Sequence, residues 1–157
     1  MPRFVVQQHD ATTLHWDFRL EHRGTLKSWA VPKGPSMDPA VKRLAVPVED
    51  HSIAYGGFEG LVGMGGGSGA VILWDRGDYE LLDGTPDDER FTFVLHGEKL
   101  RGGFALQRTR SGAKPQWLLI KRRDDEARPG ADIVAERPES VVSGRTLAEL
   151  LGTGREA

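Results

Sequence analysis

The 157-residue chain contains no cysteine. That excludes disulfides, a thiolate nucleophile and thiolate metal ligands, so any metal must be held by His, Asp or Glu. No apolar run approaches the roughly 20 residues needed to span a bilayer. The opening Met1-Pro-Arg-Phe-Val-Val6 carries no apolar signal stretch, so a cytoplasmic protein with no membrane partner is expected. Helix signals are also scarce. What is abundant is punctuation: 20 Gly and 9 Pro separate short alternating or β-branched runs, which favours a mostly-β fold.

Length and composition point to one domain with a single core. The patterning predicts strands at Phe4–Gln8, Leu14–Glu21, Leu26–Ala30, Leu44–Val48, Ala70–Asp75, Tyr79–Leu82, Phe91–Leu95, Gly103–Gln107 and Gln116–Lys121. So many short strands suggest a β-barrel or strongly curved sheet with one or two short helices. One helical turn is expected at Asp38–Arg43, and a short helix at Thr146–Leu151, where Thr146 and Glu149 have capping-box spacing. Gly63–Gly69 has too little side chain to pack and reads as a loop. The domain is expected over residues 1–128. Residues 129–157 read as a polar tail carrying the short C-terminal helix.

Net charge is −2, but it is unevenly spread. Asp75 to Glu98 holds eight acidic residues against Arg76 and Arg90, and Lys99 to Arg123 holds eight basic residues and no acidic one. The basic stretch is either a solvated face or a strip that tracks a phosphate backbone.

The most informative segment is Leu14-His-Trp-Asp-Phe-Arg-Leu20, which alternates strictly. Leu14, Trp16, Phe18 and Leu20 share one strand face, expected to meet the core; His15, Asp17 and Arg19 share the other. A hairpin through Asp10-Ala-Thr-Thr13 brings His9 near His15. His51 and Tyr55 follow a further strand. Two imidazoles and a carboxylate form an N/O set suited to Mn²⁺, Fe²⁺ or Zn²⁺, and Arg19 beside them suits a phosphate. A surface strand with a polar outer face remains the plain alternative. His22 and His96 read as surface or strand-end residues, and Trp29, Trp74 and Trp117 as core.

The run Phe4-Val-Val-Gln-Gln-His-Asp-Ala-Thr-Thr-Leu-His-Trp-Asp-Phe-Arg-Leu-Glu21 resembles the opening of the 3′-phosphoesterase domain of bacterial DNA ligase D, a family with stand-alone bacterial and archaeal relatives. The likeness continues through Leu26–Ser36, Arg43–His51, Tyr55, Phe58-Glu-Gly60, Trp74-Asp-Arg-Gly77, Leu95–Leu100 and Trp117–Lys121. It implies a barrel-like fold and a Mn²⁺-dependent end-healing enzyme (Zn²⁺ or Co²⁺ as other divalent ions). Such an enzyme hydrolyses 3′-phosphate ends of DNA to 3′-hydroxyls and removes 3′-terminal ribonucleosides in non-homologous end joining. By position, the resemblance implies His9, His15 and Asp17 as metal ligands and Arg19, His51 and Tyr55 at the scissile phosphate. Gln7, Lys33, Arg43 and Glu49 would support substrate binding. Implied partners are DNA or DNA/RNA 3′ ends on a primer–template, Ku, and the ligase and polymerase components of end joining.

Two departures stand out. After Phe-Glu-Gly the family commonly carries an Ile-Pro-x-Gly-x-Tyr-Gly-type segment, where this chain has Leu61-Val-Gly-Met-Gly-Gly-Gly-Ser-Gly69. The polar arm that precedes the Phe-Val-Val-Gln stretch in fused relatives has no counterpart here, and Arg137 to Thr146 resembles their linker to the ligase domain. A stand-alone enzyme or an excised domain fits equally. Two rival functions are compatible with the residues: a non-haem Fe²⁺ oxygenase using His15, Asp17 and His51, and a non-catalytic DNA-binding module using the Lys99–Arg123 strip.

Overall fold

In the computed structural model, which describes residues 1–62 and 69–155, the chain is an eight-stranded closed β-barrel. The strands are β1 Arg3–Asp10, β2 Leu14–His22, β3 Thr25–Val31, β4 Lys42–His51, β5 Gly60–Leu61, β6 Ala70–Asp83, β7 Arg90–Gly97, β8 Arg101–Arg110 and β9 Gln116–Lys121. They pair in the order β1-β2-β3-β4-β9-β8-β7-β6, and a β1–β6 pairing closes the ring. The two-residue β5 is an appendage of β6. Closure removes the unpaired edges that an open sheet would expose. Helices α1 Ile133–Glu136 and α2 Leu147–Arg155 complete the fold, and no helix is long and apolar enough to cross a membrane among the described residues.

Strand alternation divides the molecule into an inside and an outside. Phe4, Val6, Trp16, Phe18, Leu20, Trp29 and Val31 point into one core with Phe91, Phe93, Phe104 and Trp117. Aromatic rings fill the interior: Phe18 lies 5.9 Å from Phe93, and Trp29 lies 5.8 Å from Trp117. The β2–β3 hairpin turns on Arg23 and Gly24, both with positive φ (53° and 80°). That is the two-residue geometry whose twist matches the flanking strands.

Several expectations are corrected. Ala70–Asp75 and Tyr79–Leu82 form one strand, because Gly77 marks a close approach and not a turn. A Cβ there would lie 2.1 Å from the His96 carbonyl oxygen on β7,. Asp38–Arg43 holds no helix. Asp38 closes a turn with Val41 N–H donating to its carbonyl at 3.0 Å, and β4 then begins at Lys42. Leu14 is 42% exposed and does not reach the core. Of the Gly63–Gly69 loop, residues 63–68 lie outside the described residues; Gly69 accepts a bond from Val62 N–H at 2.8 Å.

The segment expected as a polar tail is held against the barrel. Ile133 and Leu147 belong to the core cluster, Trp74 Nε1–H donates to Arg137 O at 2.8 Å, and Val141 N–H to Leu73 O at 2.9 Å. The start of α2 carries the expected capping box. Thr146 N–H donates to Glu149 Oε1 at 2.9 Å, and Glu149 N–H to Thr146 Oγ1 at 3.2 Å,.

Candidate metal and phosphate site

The site lies on the outer face of the β1–β2–β3 wall. Register sets it: His9 pairs with His15, Gln7 with Asp17, Val5 with Arg19, and Arg19 in turn with Ser28. Since alternation aims Phe4, Val6, Trp16 and Phe18 inward, it aims His9, Gln7, His15, Asp17 and Arg19 outward. His51 joins them through an irregularity. Leu26 pairs with His51 but Ser28 with Val48, so β4 spends three residues where β3 spends two. The extra residue is a bulge. Without it, Asp50 would share the face of Val48 and His51 would point the other way.

His9, His15 and Asp17 each offer a donor atom, and the three atoms lie within 4.8 Å of one another. Bonds of about 2.1 Å to a common ion need donors roughly 3–4 Å apart, so a small closure completes the set. His9 Nε2 is buried and has no hydrogen-bond partner. An orphaned acceptor of this kind is costly unless something occupies it, and a cation fits. His15 is oriented at both nitrogens. Nδ1–H donates to Thr13 O at 2.9 Å, which aims Nε2 at Asp17 Oδ2, 3.1 Å away. The Asp17 hydrogen bond raises the His15 pKa, and without metal that bond carries a proton where a metal ion would sit,. Burial, then the neighbouring His15, lowers that of His9.

Arg19 is 3% exposed and rigidly held. Its Nε–H donates to Gln7 Oε1 at 2.7 Å, Nη1 to Ser28 Oγ at 2.7 Å, and Nη2 to Asp17 Oδ2 at 3.2 Å. A guanidinium has five N–H groups, so one on each Nη remains for an anion. The Tyr55 ring covers the guanidinium, with Cζ 5.2 Å from its centroid. Tyr55 comes from the 3₁₀ helix Ile53–Gly57 that follows β4. Its ring stacks on His51 at 4.3 Å and 20°, and on Phe58 at 5.5 Å and 14°. Burial, then the positive Arg19, lowers the His51 pKa.

Gln7 is fully buried, and its amide is spent on the protein. Its Nε2 donates to Tyr55 O at 2.9 Å and Phe58 O at 3.1 Å, while Oε1 receives Arg19. It therefore links Arg19 to the Tyr55 turn. Phe58 and Ser28 are functional neighbours that sequence reading missed. Lys33 and Arg43 line a separate cavity of about 290 Å³ with Pro32, Lys42 and Leu44. Glu49 is exposed within the bulge and acts on His51 only through space. Of the other histidines, His22 pairs with Asp87 at 3.0 Å and His96 with Glu80 at 2.7 Å, both on the surface.

Comparison with known proteins gives this geometry its context. Residues 7–108 match the family described as the DNA Ligase D 3′-phosphoesterase domain. The chain belongs to that family. It is 54% identical over 152 residues to the "Multifunctional non-homologous end joining protein LigD" of Pseudomonas aeruginosa, covering 92% of this chain and 18% of that protein. It is 42% identical over 139 residues to the protein of the same name in Mycolicibacterium smegmatis, 81% of this chain and 18% of the relative. A third relative, the "Multifunctional non-homologous end joining DNA repair protein LigD" of Mycobacterium tuberculosis, is 41% identical over 128 residues, 78% of this chain and 16% of the relative. The chain thus spans under a fifth of the length of these relatives.

Within this family fold, the oxygenase reading loses its geometric support and the DNA-binding reading loses part of its charge. The oxygenase needs His51 as a ligand and His9 outside the set; the donors that converge among the described residues are His9, His15 and Asp17, while His51 lies against Tyr55. Half of the basic strip is paired with carboxylates. Lys99 and Lys121 are buried and paired with Glu139 and Asp124, Arg101 faces Glu126 at 3.9 Å, and Arg108 is bonded to Glu89.

Proposed function

We propose that this chain is a Mn²⁺-dependent phosphoesterase that hydrolyses 3′-phosphate ends of DNA to 3′-hydroxyls. We place its action in end healing during non-homologous end joining. The observation that carries this reading is one outward face on which three N/O donors, an anchored guanidinium with two free N–H groups, and a histidine converge. His9, His15 and Asp17 would hold the ion, and the orphaned His9 Nε2 is the feature that fits it best. When bound, the ion supplies charge neutralisation at a non-bridging phosphate oxygen. Arg19 binds the equatorial oxygens, held in line by Gln7, Ser28 and Asp17, so little reorganisation is needed as charge develops. His51, whose pKa is lowered by burial and then by Arg19, donates a hydrogen bond to the phosphate, whose charge raises the imidazole pKa again and readies it to protonate the leaving oxygen. Tyr55 caps the guanidinium and excludes water.

The same site serves removal of a 3′-terminal ribonucleoside: water attacks the phosphorus, the P–O5′ bond breaks, the nucleoside leaves through its 5′-oxygen, and the 3′-phosphate stays on the primer for the second hydrolysis, in which the P–O3′ bond breaks. The family context supports 3′ ends on a primer–template as substrate, with Ku and the ligase and polymerase components of end joining as partners. The test is phosphate release from a primer–template ending in a 3′-phosphate, with and without Mn²⁺, by wild type, His15→Ala and Arg19→Ala. Metal-dependent turnover that falls at least about 100-fold in both variants is expected. Turnover in His15→Ala equal to wild type would refute the ligand set.

A further inference from the structure

Arg76 belongs to the Trp74-Asp-Arg-Gly77 segment, and nothing above gives it a task. Register places it with care. Val5 of β1 pairs on one side with Arg19 of β2 and on the other with Arg76 of β6. Arg19, Val5 and Arg76 therefore form one row across three strands, and residues in such a row share a face. Val5 lies among the outward residues, so Arg76 projects outward with Arg19. Adjacent strands lie about 4.8 Å apart, which sets the two arginine Cα atoms about 10 Å apart.

The surroundings fit a nucleic-acid strand. Between Arg76 and the Tyr55 turn is a recess of about 180 Å³ whose floor is Val5, Leu26 and Leu73, with Gly56 and Gly57 as its wall. The floor is apolar and suits a sugar. Arg3 also lines the recess and adds a second cation; its guanidinium faces Asp78 at 3.7 Å, and Glu21, the one carboxylate on the recess wall, accepts its backbone N–H at 2.9 Å. Arg76 itself is exposed and makes no ion pair or side-chain hydrogen bond among the described residues. Arginine side chains are long and flexible, so a guanidinium rooted about 10 Å from Arg19 in this row can swing toward the phosphate that neighbours the one Arg19 holds.

We propose that Arg76 is a second phosphate clamp, binding the internal phosphodiester next to the 3′-terminal phosphate while Arg19 holds the terminal one. The inference rests on the phosphoesterase reading above. It makes Arg76 a determinant of strand binding and not of the chemical step.

The test compares wild type, Arg76→Ala and, as a charge control on the far side of the barrel, Arg110→Ala. Two primer–templates with a 3′-phosphate are used, one natural and one with a neutral methylphosphonate at that internal linkage. On the natural substrate Arg76→Ala should raise KM about tenfold, keep kcat within about twofold and reduce the salt slope of binding by about one. Wild type should lose the same factor on the methylphosphonate, where Arg76→Ala loses nothing further, and Arg110→Ala should follow wild type throughout. An unchanged KM in Arg76→Ala, or a loss that persists undiminished on the methylphosphonate, overturns the proposal. Fluorescence-anisotropy binding of the same oligonucleotides makes the same comparison without turnover. Absent phosphate release thus counts against the phosphoesterase reading, while the binding data still decide Arg76.

Discussion

His9 illustrates how one side chain can be built for a partner that the rest of the protein does not supply. Its Nε2 is buried and unbonded, whereas His15 is bonded at both ring nitrogens. Replacing His9 by Ala therefore removes no protein hydrogen bond at Nε2, and the metal-free variant should melt within a few degrees of wild type. Under the proposed metal role, Mn²⁺ should raise the melting temperature of wild type by binding only the native state; that rise should disappear in His9→Ala, and calorimetry should show at least about 10-fold weaker binding. Gln7 predicts the opposite pattern. Gln7→Ala strands the Arg19 Nε–H and two carbonyls inside the protein, which costs about 2–5 kcal/mol in urea unfolding. Because it frees both Arg19 and the Tyr55 turn, kcat should fall more than KM rises. Alternation alone made the outward row of His15, Asp17 and Arg19 legible in the sequence, since a period of two is a local property. The positioning role of Gln7 was not legible, because its partners Tyr55 and Phe58 reach it only through the folded 3₁₀ helix.

At the scale of elements, the β4 bulge decides which way His51 faces. From the sequence, Val48-Glu-Asp-His51 reads as a strand end in which Val48 and Asp50 share a face; the register against β3 is a tertiary fact and adds the extra residue. Parity then gives a paired prediction. Deleting Asp50 leaves His51 two residues after Val48, still opposite Leu26, and phosphate release should stay within about tenfold of wild type. Deleting both Glu49 and Asp50 puts His51 directly after Val48 on the other face, and release should drop by about 100-fold or more, the loss expected for removing a general acid. Gly77 teaches the same lesson in reverse. Arg76-Gly-Asp reads as a turn, yet the glycine is there so that β6 and β7 can approach, and the two expected strands are one. Turns joined across the barrel end also carry charge. His22, then Arg23 and Lys27, hold the Asp87 carboxylate below its ordinary range. A depressed carboxylate adds stability that is present above its unfolded pKa of about 3.9 and is lost as pH falls through the lower folded value. The acid limb of a melting-temperature profile should therefore be shallower in Asp87→Asn than in wild type, with the two converging at the lowest pH.

On the scale of the whole molecule, a barrel or strongly curved sheet was readable from the number and spacing of strands, closure itself came only from the β1–β6 pairing, and the boundary at residue 128 was not a guide to what holds the barrel together. Ile133 stands with Val134 in a polar stretch too short to show a period, and the capping box announced a helix at Thr146 but not where it docks; only the folded chain shows Ile133 and Leu147 entering the core. The segment between them also satisfies polar groups that the barrel buries. Lys99 has no exposed side-chain surface. Its ammonium lies 4.3 Å from the Trp74 ring centroid, donates to the Arg137 and Glu139 carbonyls and faces the Glu139 carboxylate at 3.5 Å. Burial nonetheless lowers its pKa to about 8. A chain ending at residue 128 would lose the burial of two large side chains, about 1.5–3 kcal/mol each. It would also lose the bonds from the Trp74 Nε1–H and the Lys99 ammonium to the Arg137 and Glu139 carbonyls, about 0.5–3 kcal/mol each,. The total rivals the 5–15 kcal/mol by which a domain of this kind is stable. The truncated chain should therefore lack a cooperative thermal transition or melt at least about 15 °C lower. Equal melting of the 128-residue chain and the full chain would show that the barrel carries its stability alone and that the C-terminal segment is only draped over it.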